Sequence, residues 1–185
     1  MNYAVWVTSA CNLSCTYCYE NSSNQKNGET ISGQMLEDVR NHLLHNSHNI
    51  KNILFHGGEP FLNLDAIQRL TEAVNQANPN VVFNMTTNGV SMTTEALAFL
   101  TEYKDIIRLS VSIDGTKDMH DLNRKTSSGT GTYDIVATNS KKLLKIFPDL
   151  RARMTLTPTT VYSLASGIRN IASLGFNKIA VSYTP

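Results

Sequence analysis

Six short β-rich runs alternate with five helical stretches along the 185 residues, and this alternation restricts the fold more than any other feature. The predicted strands are Tyr3–Thr8, Asn52–His56, Val81–Thr86, Ile107–Ile113, Arg151–Thr157 and Lys178–Tyr183. Between them the pattern predicts helices over Ser32–His45, Leu64–Asn78, Thr93–Tyr103, Tyr133–Phe147 and Tyr162–Leu174. Leu64, Ile67, Leu70 and Val74 recur at the three-to-four spacing of an amphipathic helix. Thr93 suits an N-terminal cap, and Gly175 suits a left-handed stop after the last helix. Strands that alternate with helices pair in parallel through right-handed crossovers. The chain is therefore α/β, and six strands fit either an open doubly wound sheet or a partial barrel.

The strands carry a second message. Arg108, Ser110 and Ser112 alternate with Leu109, Val111 and Ile113; Asn84 and Thr86 alternate with Phe83 and Met85; Arg153, Thr155 and Thr157 alternate with Met154 and Leu156. A purely structural parallel sheet is apolar on both faces. A polar face repeated on three strands reads as a wet or ligand-filled interior, or else as solvated edges. The last strand ends the sequence with no closing helix, which favours the front part of a longer protein. The stretches Glu20–Glu29 and Arg124–Thr132 read as polar loops.

All three cysteines, Cys11, Cys15 and Cys18, lie within "CNLSCTYC", between the first strand and the first helix. An odd number of thiols cannot pair fully inside the chain, so a disulfide framework is a poor reading. Thiols this close point to one shared metal group. Zinc in a closed site needs four Cys or His ligands, and none of the five histidines makes a tight second pair with the cysteines. An iron–sulfur cluster also takes thiolates, and three of them leave one iron open to another ligand. Both readings stand on spacing alone. Clustered free thiols fit a reducing compartment, the cytoplasm. The formal net charge of +1 gives no footprint for nucleic acid, no apolar run is long enough to span a membrane, and the N-terminus has no basic stretch of a signal peptide.

The segment "CNLSCTYCYE" resembles the cluster loop of radical S-adenosylmethionine (SAM) enzymes, with Tyr17 as the aromatic residue before the third cysteine. Further segments resemble the family in order: "HGGEP" (His56–Pro60), "TTNG" (Thr86–Gly89), "SVSIDG" (Ser110–Gly115) and "DLNR" (Asp121–Arg124). The wording is most similar to SPASM-type and related enzymes that modify peptides or proteins, among them ribosomal-peptide maturases and anaerobic sulfatase-maturating enzymes. The resemblance implies that residues 1–185 form one radical SAM core domain, a partial (β/α)6 TIM-like barrel of parallel strands.

It also implies that Cys11, Cys15 and Cys18 hold a [4Fe–4S] cluster whose fourth iron is chelated by SAM. Gly57, Gly58 and Glu59 would meet the SAM amino group, with glycine needed for close backbone approach. Asn88 belongs to the next SAM-facing segment, and Ser112 and Arg124 would meet the SAM carboxylate, Arg124 from a loop. Arg124 otherwise reads as a solvated loop arginine. His56 fits either a contact to SAM or substrate or a cap at the strand end. In the family, the reduced cluster cleaves SAM to a 5′-deoxyadenosyl radical that abstracts hydrogen, here from a peptide or protein side chain. The reductant would be a flavodoxin or ferredoxin. Asp114 and Glu59 are not assigned proton transfer, because Asp-Gly pairs commonly serve turns, so no catalytic acid or base is identified.

Related enzymes carry a C-terminal extension with further cysteines, whereas no cysteine follows Cys18. The extension is missing from this sequence, or this branch works with one cluster. The alternatives are a noncatalytic iron–sulfur or zinc module, and an incomplete core without activity of its own.

Overall fold

The computed structural model describes residues 1–20 and 28–184. Its elements are β1 (Asn2–Thr8), α1 (Gly33–His45), β2 (Asn52–Gly57), α2 (Leu64–Ala77), β3 (Val82–Thr87), α3 (Thr94–Glu102), β4 (Ile107–Ser112), α4 (Lys117–Asn123), α5 (Tyr133–Ile146), β5 (Arg151–Leu156), α6 (Leu164–Ser173) and β6 (Lys178–Tyr183). The strands hydrogen-bond in chain order, β1-β2-β3-β4-β5-β6, and β1–β2, β2–β3, β4–β5 and β5–β6 pair in parallel. This is the parallel α/β order that the alternation predicts, in the partial (β/α)6 form that the resemblance implies. Most strand bounds fall within a residue of expectation. Of the predicted Glu20–Glu29 loop, residues 21–27 lie outside the described residues.

Two compact units divide the chain. The first contains β1, β2, nearly all of β3, and helices α1 to α3. Its core lies where Val5, Val7, Ile53, Phe55, Phe83 and Met85 meet Leu36, Leu43, Ile67, Leu70, Val74 and Leu100, all buried. Phe55 and Phe83 stack with centroids 5.8 Å apart. Full burial of side chains of this size stabilises by about 1.5–3 kcal/mol each. On α2 the buried Ile67, Leu70 and Val74 make up the predicted apolar stripe. Thr93 caps α3, its hydroxyl accepting from the Ala96 amide at 3.1 Å.

The second unit contains the stretch from Asn12, Thr87–Met92 and everything from Leu109 onward. Leu109, Val111 and Ile113 are buried, as are Ala152, Met154 and Leu156, against Val136, Leu143 and Ile171. The alternate positions Ser110, Ser112 and Thr155 are only half-buried and Arg153 is exposed. Period-two patterning thus separates a packed face from a polar one. Gly175 follows α6 at φ +108°, the left-handed stop that its position predicts.

One helix departs from expectation. Residues Lys117–Asn123 form α4, capped by Thr116, so Asp121–Asn123 are its last turn and Arg124 its C-terminal cap, not part of a loop. Seven residues containing two Asp, a His and an Asn give neither a periodic stripe nor strong helix propensity. Helix α6 begins at Leu164, because Val161–Ser163 form a tighter 3₁₀ turn before it. No helix among the described residues is long and apolar enough to cross a membrane.

Candidate functional site

In the first unit, the backbone leaving β1 and the "GGEP" segment leaving β2 lock together. The Gly58 amide donates to the Thr8 carbonyl at 3.0 Å, and the Glu59 amide to the Ala10 carbonyl at 2.8 Å. A Cβ on Gly57 would lie 2.1 Å from the Thr8 carbonyl oxygen, and one on Gly58 would lie 2.5 Å from that of Ala10. The two glycines therefore let the chain that leads into Cys11 rest on the end of β2. Close backbone approach is the expected reason for glycine here, but the backbone approached is the protein's own. Glu59 is buried, and its Oε1 accepts from the Phe61 amide at 3.3 Å, capping the short turn Pro60–Asn63. His56 stacks on Trp6 with centroids 4.1 Å apart, and its Nδ1 accepts from the Gly57 amide at 2.6 Å. That contact closes the strand end at Gly57.

In the second unit, the middle of the cysteine loop hangs on the residues that end α4. The Ser14 amide donates to the Lys125 carbonyl at 2.8 Å and the Thr16 amide to the Asn123 carbonyl at 3.0 Å. The Thr16 hydroxyl donates to Asn123 Oδ1 at 2.8 Å. Between these anchors, Arg124 Nη1 lies 4.0 Å from Cys15 Sγ. The Cys18 amide turns back to the Cys15 carbonyl at 3.1 Å. Asn88 reaches the start of the same loop, its Nδ2 donating to Asn12 Oδ1 at 2.7 Å, while Asn12 Nδ2 donates to Ser91 at 2.9 Å. Ser112 sits half-buried at the C-terminal end of β4.

Arg124 is not a solvated loop arginine. It is 8% exposed, its Nε donates to Asp114 Oδ2 at 2.9 Å, and its guanidinium lies 5.3 Å from the centre of the Tyr17 ring. The Tyr17 hydroxyl donates to the same carboxylate, and Asp114 Oδ1 accepts from the Thr155 amide at 2.9 Å. Asp114 is thus the hub of a buried ion pair. Burial works against the Arg124 cation, yet Asp114, Tyr17 and Cys15 together outweigh it and raise the pKa. Burial also raises the pKa of Tyr17 and that of the Cys15 thiol, with Arg124 opposing in both cases.

His120 is fully buried beneath this hub. Its Nδ1 lies 3.3 Å from the Asp114 amide nitrogen and its Nε2 3.1 Å from the Thr132 hydroxyl. Burial, with Arg124 adding to it, lowers its pKa to about 4, so the ring is neutral near pH 7.

The fold brings Cys15, Arg124 and Tyr17 to one place, and sets Asn88 against Asn12 at the start of the same loop. The sequence does not mark Asp114, His120, Asn123 or Thr132 as partners. Their signal is the "HDLNR" segment followed by "GTGTY", whose spacing alone says nothing of which residues meet.

Three thiols outside any disulfide, each half-exposed on an irregular loop, are what the described residues offer a metal group. Among the described residues, no three His, Cys, Asp or Glu side chains converge as a ligand set. The fit to a cluster therefore rests on donor chemistry: three thiolates in one loop suit an iron–sulfur cluster with one iron left to another ligand. A closed zinc site asks for a fourth protein donor.

Residues 6–163 match the model of the radical SAM superfamily. A cysteine-type anaerobic sulfatase-maturating enzyme of Clostridium perfringens (strain 13 / Type A) is 30% identical over 161 residues, which are 83% of this chain and 43% of that enzyme. The solved structure of native anSMEcpe with bound AdoMet superposes with a TM-score of 0.85 at 25% identity, over 98% of this chain and 50% of that one. Streptococcus suis SuiB bound to precursor peptide SuiA shares the fold, with a TM-score of 0.76 at 16% identity, over 100% of this chain and 39% of that one. The chain spans about half the length of the relatives it matches. A noncatalytic metal module accounts for the cysteines alone, whereas the match runs through every motif from the cysteine loop to Arg124. The chain belongs to the radical SAM superfamily.

Proposed function

We propose that residues 1–185 are the core domain of a radical SAM enzyme that modifies a peptide or protein side chain. The observation that carries the proposal is the cysteine loop held against the Asn123–Lys125 segment, with the buried Arg124 beside Cys15. In this reading Cys11, Cys15 and Cys18 hold a [4Fe–4S] cluster. With the cluster and SAM bound, the pair supplies one-electron chemistry that removes a hydrogen atom from the substrate.

The chain's own part is to bind and orient. Arg124 directs a fixed cation toward the loop, held by Asp114 and by the Tyr17 ring. Nε is occupied by the carboxylate, so the Nη edge serves the SAM carboxylate, with Ser112 beside it. The backbone of Gly57, Gly58 and Glu59 receives the SAM amino group, and Asn88 holds Asn12 and with it the start of the loop. The peptide or protein substrate is supported by relatives named for sulfatase maturation and by the peptide-bound SuiB structure. A flavodoxin or ferredoxin as reductant and a cytoplasmic setting fit three clustered thiols that must stay reduced.

The test is anaerobic. The protein is reconstituted with iron and sulfide, given SAM and dithionite, and assayed for 5′-deoxyadenosine by chromatography, beside Cys15→Ala. The proposal expects the nucleoside from the wild type alone. A brown, iron-loaded wild type that binds SAM but makes none contradicts the catalytic reading, and zinc in place of iron contradicts the cluster.

A further inference from the structure

The "HDLNR" and "GTGTY" segments supply more than Arg124. The Asp114 amide can only donate, so His120 Nδ1 is the acceptor across 3.3 Å. The neutral ring then carries its proton on Nε2, which donates to the Thr132 hydroxyl at 3.1 Å. That leaves the hydroxyl proton for the Arg124 carbonyl, 2.9 Å away. The chain of bonds has one consistent direction, from the Asp114 amide through the imidazole and the hydroxyl to the Arg124 carbonyl.

The Arg124 carbonyl lies between the two carbonyls that carry the cysteine loop. Those of Asn123 and Lys125 accept from Thr16 and Ser14, on either side of Cys15. Two of these three successive carbonyls hold the loop, and the middle one accepts from Thr132. The segment bearing Thr132 is itself fixed: the Tyr133 amide donates to Asp121 Oδ1 at 2.8 Å, and a Cβ on Gly131 would lie 2.3 Å from the Asp121 carboxylate carbon. His120 and Thr132 are both buried.

We propose that His120 and Thr132 are positioning residues for the cysteine loop: by holding the Arg124 carbonyl they fix the edge on which Ser14 and Thr16 hang, and so place the Cys15 thiol. The inference rests on the proposed function only in taking this loop as the one that holds the cluster. The hydrogen bonds of His120 and Thr132 run to Asp114, to each other and to Arg124, not to the cysteine loop, among the described residues. Thr132 acts through Arg124, and His120 acts through Thr132.

The test uses the metal-free protein, so it does not depend on radical chemistry. Thr132→Val keeps the shape and removes the hydroxyl, and Thr132→Ser keeps the hydroxyl. Alkylation of Cys15 by iodoacetamide is followed by peptide mass spectrometry, with Cys11 as the internal reference. Leu143→Ala, in the core of α5, controls for general loss of stability. Thr132→Val is expected to speed Cys15 alkylation about five-fold relative to Cys11, the scale of one net hydrogen bond. His120→Ala is expected to do the same, Thr132→Ser to stay near wild type, and Leu143→Ala to leave the ratio unchanged. Iron bound on reconstitution should fall in Thr132→Val and recover in Thr132→Ser. A wild-type ratio in Thr132→Val overturns the inference, as does equal loosening in Thr132→Ser. If the wild type makes 5′-deoxyadenosine while Thr132→Val alkylates normally, the positioning role fails and the function stands. If no iron is bound at all, the function fails and the alkylation ratio still decides the positioning role.

Discussion

Arg124 Nε and Asp114 Oδ2 meet at 2.9 Å with side chains 9% and 1% exposed, forming a buried ion pair beside Cys15. A pair this deep contributes little net stability over an apolar pair of the same shape, but removing one partner strands the other charge. Asp114→Asn should therefore destabilise the protein by about 3–5 kcal/mol in urea unfolding. The double variant Asp114→Asn/Arg124→Met should recover part of that loss, while binding no SAM. A double variant no more stable than Asp114→Asn speaks against a stranded charge.

Tyr17 does two separable things: its hydroxyl donates to Asp114 and its ring faces the Arg124 guanidinium. Tyr17→Phe should lose about 1–2 kcal/mol, with the ring contact preserved. Tyr17→Leu should lose the cation–π contact as well, about 1 kcal/mol more. Equal losses in the two variants contradict a role for the ring.

His120 has its folded pKa lowered to about 4, chiefly by burial. Between the unfolded value of about 6.5 and the folded one, the unfolded chain binds a proton that the folded chain does not. Its contribution is present in full above about pH 6.5 and is lost as pH falls toward 4, to a total of about 3 kcal/mol. Subtracting the curve of His120→Gln from that of the wild type isolates this slope from the carboxylates. A flat difference curve between pH 4 and 7 contradicts a buried neutral imidazole.

Gly58→Ala puts a methyl group 2.5 Å from the Ala10 carbonyl oxygen, a backbone atom that cannot step aside. It should cost about 2 kcal/mol or more and disturb Cys11, so iron loading falls too. Gly129→Ala tests the other source of glycine strain: φ is +84° but nothing lies within 4 Å of the new Cβ. It should cost about 1 kcal/mol and leave iron loading intact. Equal iron loss in both variants removes the steric argument for the first.

The strands were legible because burial follows the period-two alternation of Ile53, Phe55, Phe83 and Met85, which chain order alone displays. The cysteine loop was legible for a different reason: three thiols in eight positions have few uses. Helix α4 was not, being seven residues long and rich in side chains that favour caps and turns. Arg124 stands out within its motif, but Asp114 reads as a turn residue, because a pairing between a strand end and a helix end leaves no periodic trace. A Cβ on Gly57 or Gly58 would meet the carbonyls of Thr8 and Ala10, neighbours that the glycines themselves do not name. Sequence shows that a close approach is required, and only the fold shows to what.

The most direct measurement is electron paramagnetic resonance of the reconstituted, dithionite-reduced protein before and after SAM is added. The account predicts a [4Fe–4S]¹⁺ signal in the wild type whose g values shift with SAM, and no such signal in Cys15→Ala. A cluster signal indifferent to SAM, or a colourless protein that holds zinc, would contradict it.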